Sequence, residues 1–419
     1  MNLRITFFIP VVFTGLIVLA AFRHIPAINN AGLKLPAGFK AVVVADNVGK
    51  ARHLVVTPQG NLYVKLARVV DDQGILYLSD TNGDGKLDKQ QGFGNYGGTG
   101  IYLKDDVLYA SSNEEVFSYA LNDKHEVINP GSPALLVKGL VRGRQHDTKS
   151  IVLDNDGNIY VNIGAPSNSC QEKDRTPGSM GRPGCPLLDS AGGIWRFRAN
   201  KTDQSYAEGM RYATGLRNVV GLDWNQETNT LFVMQHGRDQ LHGLFPDLYD
   251  EKTSSEVPAE CMYQIKQGDN AGWPFAYYDQ LQGKNIQAPE YGGNGKKEAS
   301  KEFIDPVLAF PGHMAPNGLL FYTGNQFPER YQNGAFVAFH GSWNRTPFNQ
   351  EGFYVVFAPF KDGKPTGEWE VFADGFAGTD TVTSPRDAKY RPCGLAQGPD
   401  GALYVTDDVK GRIYRISYQ

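Results

Sequence analysis

The chain has 419 residues, of which 41% are hydrophobic, enough to bury a sizeable core. It contains 48 glycines and 24 prolines beside 21 tyrosines and 23 phenylalanines. This composition indicates many turns between short strands and excludes an intrinsically disordered chain. The formal net charge at pH 7 is −4, from 41 basic and 45 acidic residues, and no basic run stands out, so we predict no nucleic-acid partner.

The N-terminal segment, residues 1–22, carries an early arginine followed by a long apolar run. This pattern is typical of an export signal, and the run is also just long enough to span a membrane as a helix. Two interpretations stay open, a cleaved signal peptide or an N-terminal membrane anchor. In both, the rest of the protein is exported and is periplasmic or secreted.

A short pattern recurs six times along the remaining chain: a polar turn, an apolar residue, an aromatic residue, then a small or β-branched residue. The aromatic residues of the six copies are Tyr63, Tyr109, Tyr160, Phe232, Phe336 and Tyr404. Each copy predicts two strands joined by a tight turn, and the first copies are spaced at about 40–50 residues, the length of a propeller blade. We therefore predict an all-β, six-bladed β-propeller over residues 32–419, with a β-sandwich as the alternative.

The later copies are spaced more widely, which predicts long loop insertions at 165–191 and 239–303. Cys170 and Cys185 flank an irregular part of the first insertion, and a disulfide between them would close that loop. The pairing of the other two cysteines, Cys261 and Cys393, stays open.

Strands are also predicted at the two ends of this region. Apolar and polar residues alternate in FKAVVVAD (39–46) and GRIYRISYQ (411–419), as is typical of strands. If they pair in one blade, the ring closes and leaves no free sheet edge.

Polar residues at strand ends are the candidates for function, because the loops of a propeller surround the mouth of its channel. His146 stands a few residues before the strand of the third copy, and an imidazole suits a general base near neutral pH. Arg217 and Asn218 stand at a strand start, where such a pair can bind a carboxylate, a quinone oxygen or a neighbouring loop carbonyl, and a guanidinium fork suits planar anionic ligands particularly well.

Two further groups have the residue types of metal ligands. His236 and His340 lie in different repeats without ligand spacing, which favours structural roles. DTNGDGKLD (80–88) matches the early positions of a calcium loop, but Gln91 stands where the late glutamate is required. A solvated turn is the favoured interpretation there.

Several motifs, taken in their order and spacing, resemble the PQQ-dependent soluble sugar dehydrogenases of the glucose/sorbosone dehydrogenase family. The resemblance covers nearly the whole chain after residue 35, and FHGSWNR and RPCGLA favour the L-sorbosone dehydrogenase-like branch. The matching segments are GGIWRF (192–197), ATGLRN (213–218), HGRDQL (236–241), EYGGNG (290–295), APNGLLFY (315–322), FHGSWNR (339–345) and RPCGLAQGPDGALYVTDD (391–408).

The resemblance implies an oxidoreductase that oxidises a sugar, polyol or sugar aldehyde by hydride transfer to PQQ, with calcium as second cofactor. It implies that His146 is the general base and that Arg217 stabilises charge on the quinone oxygen. Electrons would pass to an external acceptor. In the glucose-oxidising relatives an aspartate precedes the catalytic histidine, where this chain has Gln145, so whether Asp147 orients His146 stays open.

The resemblance also implies binding residues for the two cofactors. Gly237 and Arg238 match positions that offer backbone carbonyls to calcium. The expected PQQ contacts are Asn218, Arg345, Arg391 and Arg52.

Two other functions stay open for a six-bladed propeller: a calcium-dependent lactonase-type hydrolase and a non-catalytic sugar-binding protein. A lactonase site needs several acidic and amide side chains converging on the metal. Histidine, arginine and asparagine at the channel mouth suit an anionic quinone better, which favours the dehydrogenase.

Overall fold

Short strands joined by tight turns arrange themselves around a central channel in the computed structural model, which describes residues 30–419. The N-terminal segment 1–22, with its predicted signal or anchor, lies outside the described residues. In the part of the chain that is described, no helix is long and apolar enough to cross a membrane.

Six sheets of antiparallel strands form the blades, each named here from its innermost strand outwards. The chain enters through β1 (Phe39–Ala45), which belongs to the last blade. Blade 1 is β2 (Ala51–Val56), β3 (Leu62–Val70), β4 (Gln73–Ser79) and β5 (Lys89–Phe93). Blade 2 is β6 (Ile101–Lys104), β7 (Val107–Ser111), β8 (Val116–Ala120) and β9 (Ala134–Lys138). Blade 3 is β10 (Ile151–Leu153), β11 (Asn158–Ile163), β12 (Gly193–Arg198) and β14 (Met210–Thr214). The short β13 (Gln204–Ser205) precedes β14 in the chain and adds a parallel fifth strand to blade 2.

The second half of the ring follows the same plan. Blade 4 is β15 (Val219–Asn225), β16 (Thr230–Gln235), β17 (Glu260–Ile265) and β20 (Leu308–Phe310). Between β17 and β20, β18 (Ala276–Asp279) and β19 (Lys284–Gln287) form a separate hairpin. Blade 5 is β21 (Pro316–Phe321), β22 (Ala335–Phe339), β23 (Tyr354–Ala358) and β26 (Glu370–Ala373). Between β23 and β26, β24 (Phe360–Lys361) and β25 (Lys364–Pro365) form a small hairpin. Blade 6 is β27 (Pro392–Gln397), β28 (Leu403–Asp407), β29 (Ile413–Tyr418) and β1.

Over residues 30–419 the helices are short and lie in the loops. The two α-helices of this range are α1 (Leu241–Leu244) and α2 (Glu251–Glu256). Single 3₁₀ turns occur at Pro186–Asp189, Tyr206–Glu208, Pro289–Tyr291, Glu329–Tyr331 and Pro385–Asp387.

The six-bladed propeller predicted from the repeats is confirmed. Each of the six repeat aromatics lies on the second strand of a different blade, and each is buried. Residues of all six inner strands line a cavity of about 390 Å³, so these strands surround one channel.

The ring closes as the sequence predicts. β1 pairs antiparallel with β29, from Phe39 opposite Tyr418 to Ala45 opposite Ile413. The first and last strands of the propeller therefore share blade 6, and their pairing closes the ring.

The hydrophobic core consists of layers between neighbouring blades rather than one central cluster. One layer packs Phe336 and Phe372 of blade 5 against Leu403 and Tyr414 of blade 6, and equivalent clusters lie between the other neighbouring blades. Strands between two such layers are covered on both faces, which explains why many of them are continuous apolar runs rather than alternating ones.

The insertions differ in part from expectation. Cys170 and Cys185 form the predicted disulfide, while Cys261 and Cys393 are both free and buried, which answers the open question about their pairing. The segment 239–303 is not one continuous insertion, because it contains β17, the third strand of blade 4.

Candidate active site

The candidate residues gather at one end of the channel because of how the first two strands of each blade pair. In blade 4, Val219 at the start of the inner strand lies opposite Gln235 at the end of the second strand. In blade 6, Pro392 and Asp407 are opposite in the same way. Residues just before an inner strand and just after a second strand therefore meet at this end, which we call the upper face.

His146 lies on the upper face in the loop before β10, held in a left-handed backbone conformation (φ 53°). Its Nδ1 is 2.6 Å from the carbonyl oxygen of Ala165. Because a carbonyl only accepts, Nδ1 must carry the proton, which leaves Nε2 with a free lone pair. Burial, reinforced by the positive charge of Arg217, lowers the pKa of His146 to about 3, so the imidazole is a neutral base at neutral pH.

Asp147 does not orient the His146 ring. Its Oδ1 accepts a hydrogen bond from the Gly143 amide at 2.9 Å, and its Oδ2 accepts one from Asn113 Nδ2 at 2.8 Å. The residue before His146 is Gln145, which has no carboxylate to hold the ring. The main-chain carbonyl of Ala165 binds Nδ1 instead and fixes the tautomer of His146.

Arg217 is buried and its guanidinium is almost fully engaged. Nε donates to the Asn168 carbonyl at 3.1 Å and Nη1 to the Gly237 carbonyl at 2.9 Å. Nη2 donates to Asn168 Oδ1 at 3.1 Å and to Asp239 Oδ2 at 2.8 Å. Since a guanidinium has five N–H groups, one N–H on Nη1 remains for a ligand, in a position that the other four bonds hold rigid.

Asp239 is the hub of this cluster. Its Oδ2 lies 2.8 Å from Arg217 Nη2 and also 2.8 Å from Arg175 Nη2, and its Oδ1 accepts from Asn344 Nδ2 at 2.7 Å. Burial alone would raise the pKa of Asp239, but the positively charged groups around it, Arg217 foremost, together outweigh this effect and keep the pKa well below the usual range. The carboxylate is therefore ionised and offsets one of the two positive charges of Arg217 and Arg175, so this group of three keeps a net positive charge.

Asn218 faces the same space as His146. Its Oδ1 is buried and has no hydrogen-bond partner, and its main-chain carbonyl accepts from the His236 amide at 2.9 Å. A Cβ at Gly164 would come within 2.5 Å of the His146 carbonyl oxygen and 3.1 Å of Asn218 Oδ1. The glycine is thus required for the close approach of these two residues.

Gly237 and Arg238 present their main chains to the site. The Gly237 amide donates to Glu260 Oε2 at 3.0 Å, and burial raises the pKa of Glu260 to about 8. The Arg238 side chain is committed to a buried ion pair with Glu290, at 2.5 Å between Nη1 and Oε2. The Arg238 side chain is therefore not available to a ligand, and any contribution of Arg238 would come from its main-chain carbonyl, a hard donor of the kind that calcium prefers. Over residues 30–419, no three side chains of histidine, cysteine, aspartate or glutamate come together as a metal site.

Arg52 and Arg391 form a second cationic cluster on the upper face. Arg52 Nη1 is 2.7 Å from Asp408 Oδ2, and His340 Nε2 is 2.6 Å from Asp408 Oδ1. Arg391 donates from Nε to the His340 carbonyl at 2.8 Å, and its guanidinium lies 5.3 Å from the centre of the Phe353 ring. Each arginine is only partly buried and keeps N–H groups free, so both can bind an anion.

The structure does not bring Arg345 together with these groups. Its Nη1 donates to the carbonyls of Ser255 at 2.6 Å and Gly312 at 3.1 Å, and its Nη2 pairs with Glu256 at 2.8 Å. The guanidinium is buried beneath its own loop and braces that loop against α2. His236 and His340 do not contact each other. His236 Nε2 lies 3.2 Å from the Pro316 carbonyl oxygen, and His340 Nε2 lies 2.6 Å from Asp408 Oδ1.

Sequence reasoning missed four residues that organise the site. Asn168 and Arg175 come from the disulfide-closed insertion, and Asp239 and Asp408 follow second strands. Asp239 stands inside HGRDQL and Asp408 ends YVTDD, so the position after a second strand was a usable signal for these two. No signal in the sequence pointed to the two insertion residues.

These features define a class: a six-bladed propeller with a neutral histidine, a fixed arginine and a group of partly free arginines around one channel mouth. The chain belongs to the TrAA12-like family, whose model matches residues 33–419.

Three relatives illustrate the similarity. The chain is 26% identical to an uncharacterized protein of Borreliella burgdorferi, over 92% of this chain and 91% of that protein. It is 22% identical to a pyrroloquinoline quinone-dependent sugar dehydrogenase of Hypocrea jecorina, over 76% of this chain and 73% of that enzyme. A calcium structure of a Trichoderma reesei protein of Carbohydrate-Active Enzymes Family AA12 superposes with a TM-score of 0.74 at 19% identity, covering 94% of this chain and 98% of that one. The predicted resemblance to PQQ-dependent sugar dehydrogenases is confirmed, whereas the sorbosone branch stays a prediction.

Proposed function

We propose that this protein is an exported quinoprotein dehydrogenase that uses PQQ and calcium to oxidise a sugar, a polyol or a sugar aldehyde. The name of the Hypocrea jecorina relative supports PQQ and a sugar substrate, and the Trichoderma reesei structure supports calcium. The general base is His146. Export rests on the N-terminal sequence pattern, and the released electrons go to an external acceptor.

The observation that carries the proposal is the state of His146. Its Nδ1–H is held by the Ala165 carbonyl at 2.6 Å, and its pKa is lowered to about 3 by burial and by Arg217. A base that takes a hydroxyl proton must be neutral, fixed in one tautomer and partly accessible, and His146 meets all three conditions.

The residues present fit PQQ, which is a tricarboxylate with two adjacent quinone oxygens. Arg217 keeps one N–H after four hydrogen bonds, which suits an acceptor such as a quinone oxygen. The buried Asn218 Oδ1 lacks a partner and would accept from an N–H or O–H of a ligand. Arg52 and Arg391 would hold carboxylates, because both are partly exposed cations with free N–H groups. Of the two expected calcium ligands, the Arg238 carbonyl would bind the ion, whereas the Gly237 carbonyl already accepts from Arg217 Nη1 at 2.9 Å.

When bound, PQQ supplies the electrophile that accepts hydride from the substrate carbon. His146 Nε2 takes the proton of the substrate hydroxyl, which makes loss of hydride from that carbon easier. Arg217 places positive charge at a fixed point beside the site, because Asn168 and Asp239 hold its guanidinium before substrate arrives. The protein thus contributes a base and a preorganised electrostatic environment.

Reconstitution tests this proposal directly. The purified protein is titrated with PQQ and calcium, and dye reduction is followed with a panel of sugars, polyols and sugar aldehydes. We expect turnover that requires PQQ, and we expect His146→Ala to abolish it while the variant still binds PQQ. An unchanged PQQ absorbance on addition of the protein would overturn the proposal, and calcium-dependent lactone hydrolysis or sugar binding without turnover would support the two alternative functions.

A further inference from the structure

The loop before β10 carries His146, and the residue just before this base ties the loop to the disulfide-closed insertion. We propose that Gln145 is a positioning residue: its side-chain amide, held between Asp174 and Arg175 of the insertion, fixes the backbone from which the base acts. This inference rests on the proposed function and extends it from the base to the segment that places the base.

The ring of His146 depends on its backbone for its position. Nδ1 is bonded to the Ala165 carbonyl at 2.6 Å, and Nε2 is the atom that has to face the substrate. The backbone of His146 has a φ of 53°, in the left-handed region, and a residue other than glycine stays there only where its surroundings hold it. The place of Nε2 therefore depends on what holds the chain on either side of His146.

The Gln145 amide is bound at both of its ends. Its Oε1 accepts from Arg175 Nη2 at 3.1 Å and from Arg175 Nε at 3.3 Å. Its Nε2 donates to Asp174 Oδ2 at 2.8 Å. The cation thus lies at the oxygen end of the amide and the anion at its nitrogen end, so the bonds at both ends are charge-assisted. We call this arrangement of three side chains the clamp.

The insertion holds the clamp and the conserved geometry of Arg217 together. Asp174 Oδ1 accepts from the Asn168 amide at 2.9 Å, and Arg175 Nη2 is 2.8 Å from Asp239 Oδ2. Asn168 and Asp239 are also the residues that bind the guanidinium of Arg217. One insertion therefore fixes both the loop of the base and the arginine beside the site.

The residue after the base is held from a different direction. Asp147 Oδ2 accepts from Nδ2 of Asn113, which lies in the blade 2 loop between β7 and β8, at 2.8 Å. Lys149 Nζ donates to the main-chain carbonyl of Asp147. His146 thus stands between two neighbours that are tied to separate segments, which preorganises its ring before a substrate arrives.

A negative charge at position 145 would break the clamp. A carboxylate there would still accept from Arg175, but it would lie against Asp174, whose Oδ2 is 2.8 Å from the amide nitrogen that it replaces. Two carboxylates at this distance repel each other, and the second hydrogen bond is lost because neither has a proton to donate. The loop would then move away from the insertion and take the base with it.

Three variants of the full-length protein test the clamp. Gln145→Glu keeps the length of the side chain and introduces the repulsion. In the double variant Gln145→Glu/Asp174→Asn, the second substitution supplies an amide N–H that can donate to the new carboxylate. Arg144→Gln is the matched control, because this side chain is exposed on the same loop and its loss changes the net charge by the same amount.

The first measurement is turnover of the PQQ- and calcium-loaded proteins with D-glucose and D-galactose. A displacement of about 1 Å at a reacting group costs up to about a hundredfold in rate, so we expect Gln145→Glu to lower kcat about ten- to a hundredfold, with KM, bound PQQ and the urea midpoint nearly unchanged. The double variant should recover to within about threefold of wild type, and Arg144→Gln should match wild type. Should Gln145→Glu not fold, Gln145→Met removes both bonds at similar length and should show the same fall.

Histidine ¹⁵N NMR of the cofactor-free proteins needs no turnover and separates this inference from the proposed function. We expect one His146 tautomer, with the proton on Nδ1, in wild type and in the double variant, and a mixture of tautomers in Gln145→Glu. This pattern in a protein that oxidises no sugar supports the clamp without the dehydrogenase. Wild-type kcat and a single tautomer in Gln145→Glu, an equal effect in Arg144→Gln, or no recovery in the double variant overturns the clamp and leaves the dehydrogenase standing.

Discussion

Replacing Asp239 by asparagine removes one negative charge from the site while keeping the volume of the side chain. Asp239 Oδ2 lies 2.8 Å from the guanidinium groups of both Arg217 and Arg175. The Arg217 side chain is 4% exposed and that of Arg175 is 27% exposed, so water can compensate the second charge but not the first. Removing one partner of a buried pair costs about 3–5 kcal/mol, and we expect Asp239→Asn to lower the free energy of unfolding by about 3 kcal/mol.

Urea unfolding followed by tryptophan fluorescence measures the effect, with Asp203→Asn as the matched control. Asp203 makes an equally short contact, 2.6 Å to Lys138, but the two side chains are 68% and 47% exposed. A pair in water contributes about 0–1 kcal/mol, so the control should be nearly as stable as wild type. A loss below about 1 kcal/mol in Asp239→Asn, equal to that of the control, would refute the reasoning that this carboxylate neutralises a buried charge.

Three more predictions concern His146, the disulfide and His53. The pKa of His146, lowered to about 3 by burial and Arg217, should keep its ring neutral at pH 5 in a ¹⁵N NMR titration of the cofactor-free protein, and protonation near pH 6.5 would contradict this. Replacing Cys170 and Cys185 together by serine should cost about 3 kcal/mol in urea unfolding, because the disulfide spans 15 residues, and a cost below about 1 kcal/mol would show that the loop needs no cross-link. Burial lowers the pKa of His53 from 6.5 to about 4. The contribution of the neutral ring to the free energy of unfolding is therefore complete above pH 6.5. It decreases as the pH falls towards 4, by up to about 1.4 kcal/mol per pH unit. His53→Gln should remove that part of the pH dependence, and identical slopes for variant and wild type would contradict it.

The blades were predictable from the sequence because their signal is local. A polar turn followed by an apolar and an aromatic residue places Tyr63, Phe232 and their counterparts on second strands without knowledge of any distant contact. The same local reasoning placed His146 and Arg217 at strand ends, and pairing within a blade then carries such residues to the same face.

Contacts between distant segments were not predictable. Arg345 and Arg391 look alike in the sequence, yet one is buried against Ser255 and Glu256 and the other is partly exposed beside His340. What separates them is the conformation of loops that no local pattern specifies.

The same limit applies to the insertions. Asn168 lies 49 residues before Arg217, and Arg175 lies 64 residues before Asp239. Their side chains reach the site because the disulfide-closed loop folds back over it. A segment without strand or helix periodicity gives no indication of where it will fold.

Single-turnover reduction of protein-bound PQQ tests most directly whether this channel mouth is a quinone-dependent sugar-oxidising site. The protein is loaded with PQQ and calcium without oxygen or dye, one portion of sugar is added, and the absorbance of the bound PQQ is followed. We predict rapid reduction in wild type and a rate at least about a hundredfold lower in His146→Ala with the same amount of PQQ bound. Equal rates in the two proteins would contradict His146 as the base, and no reduction by any sugar in PQQ-loaded wild type would contradict the proposed function.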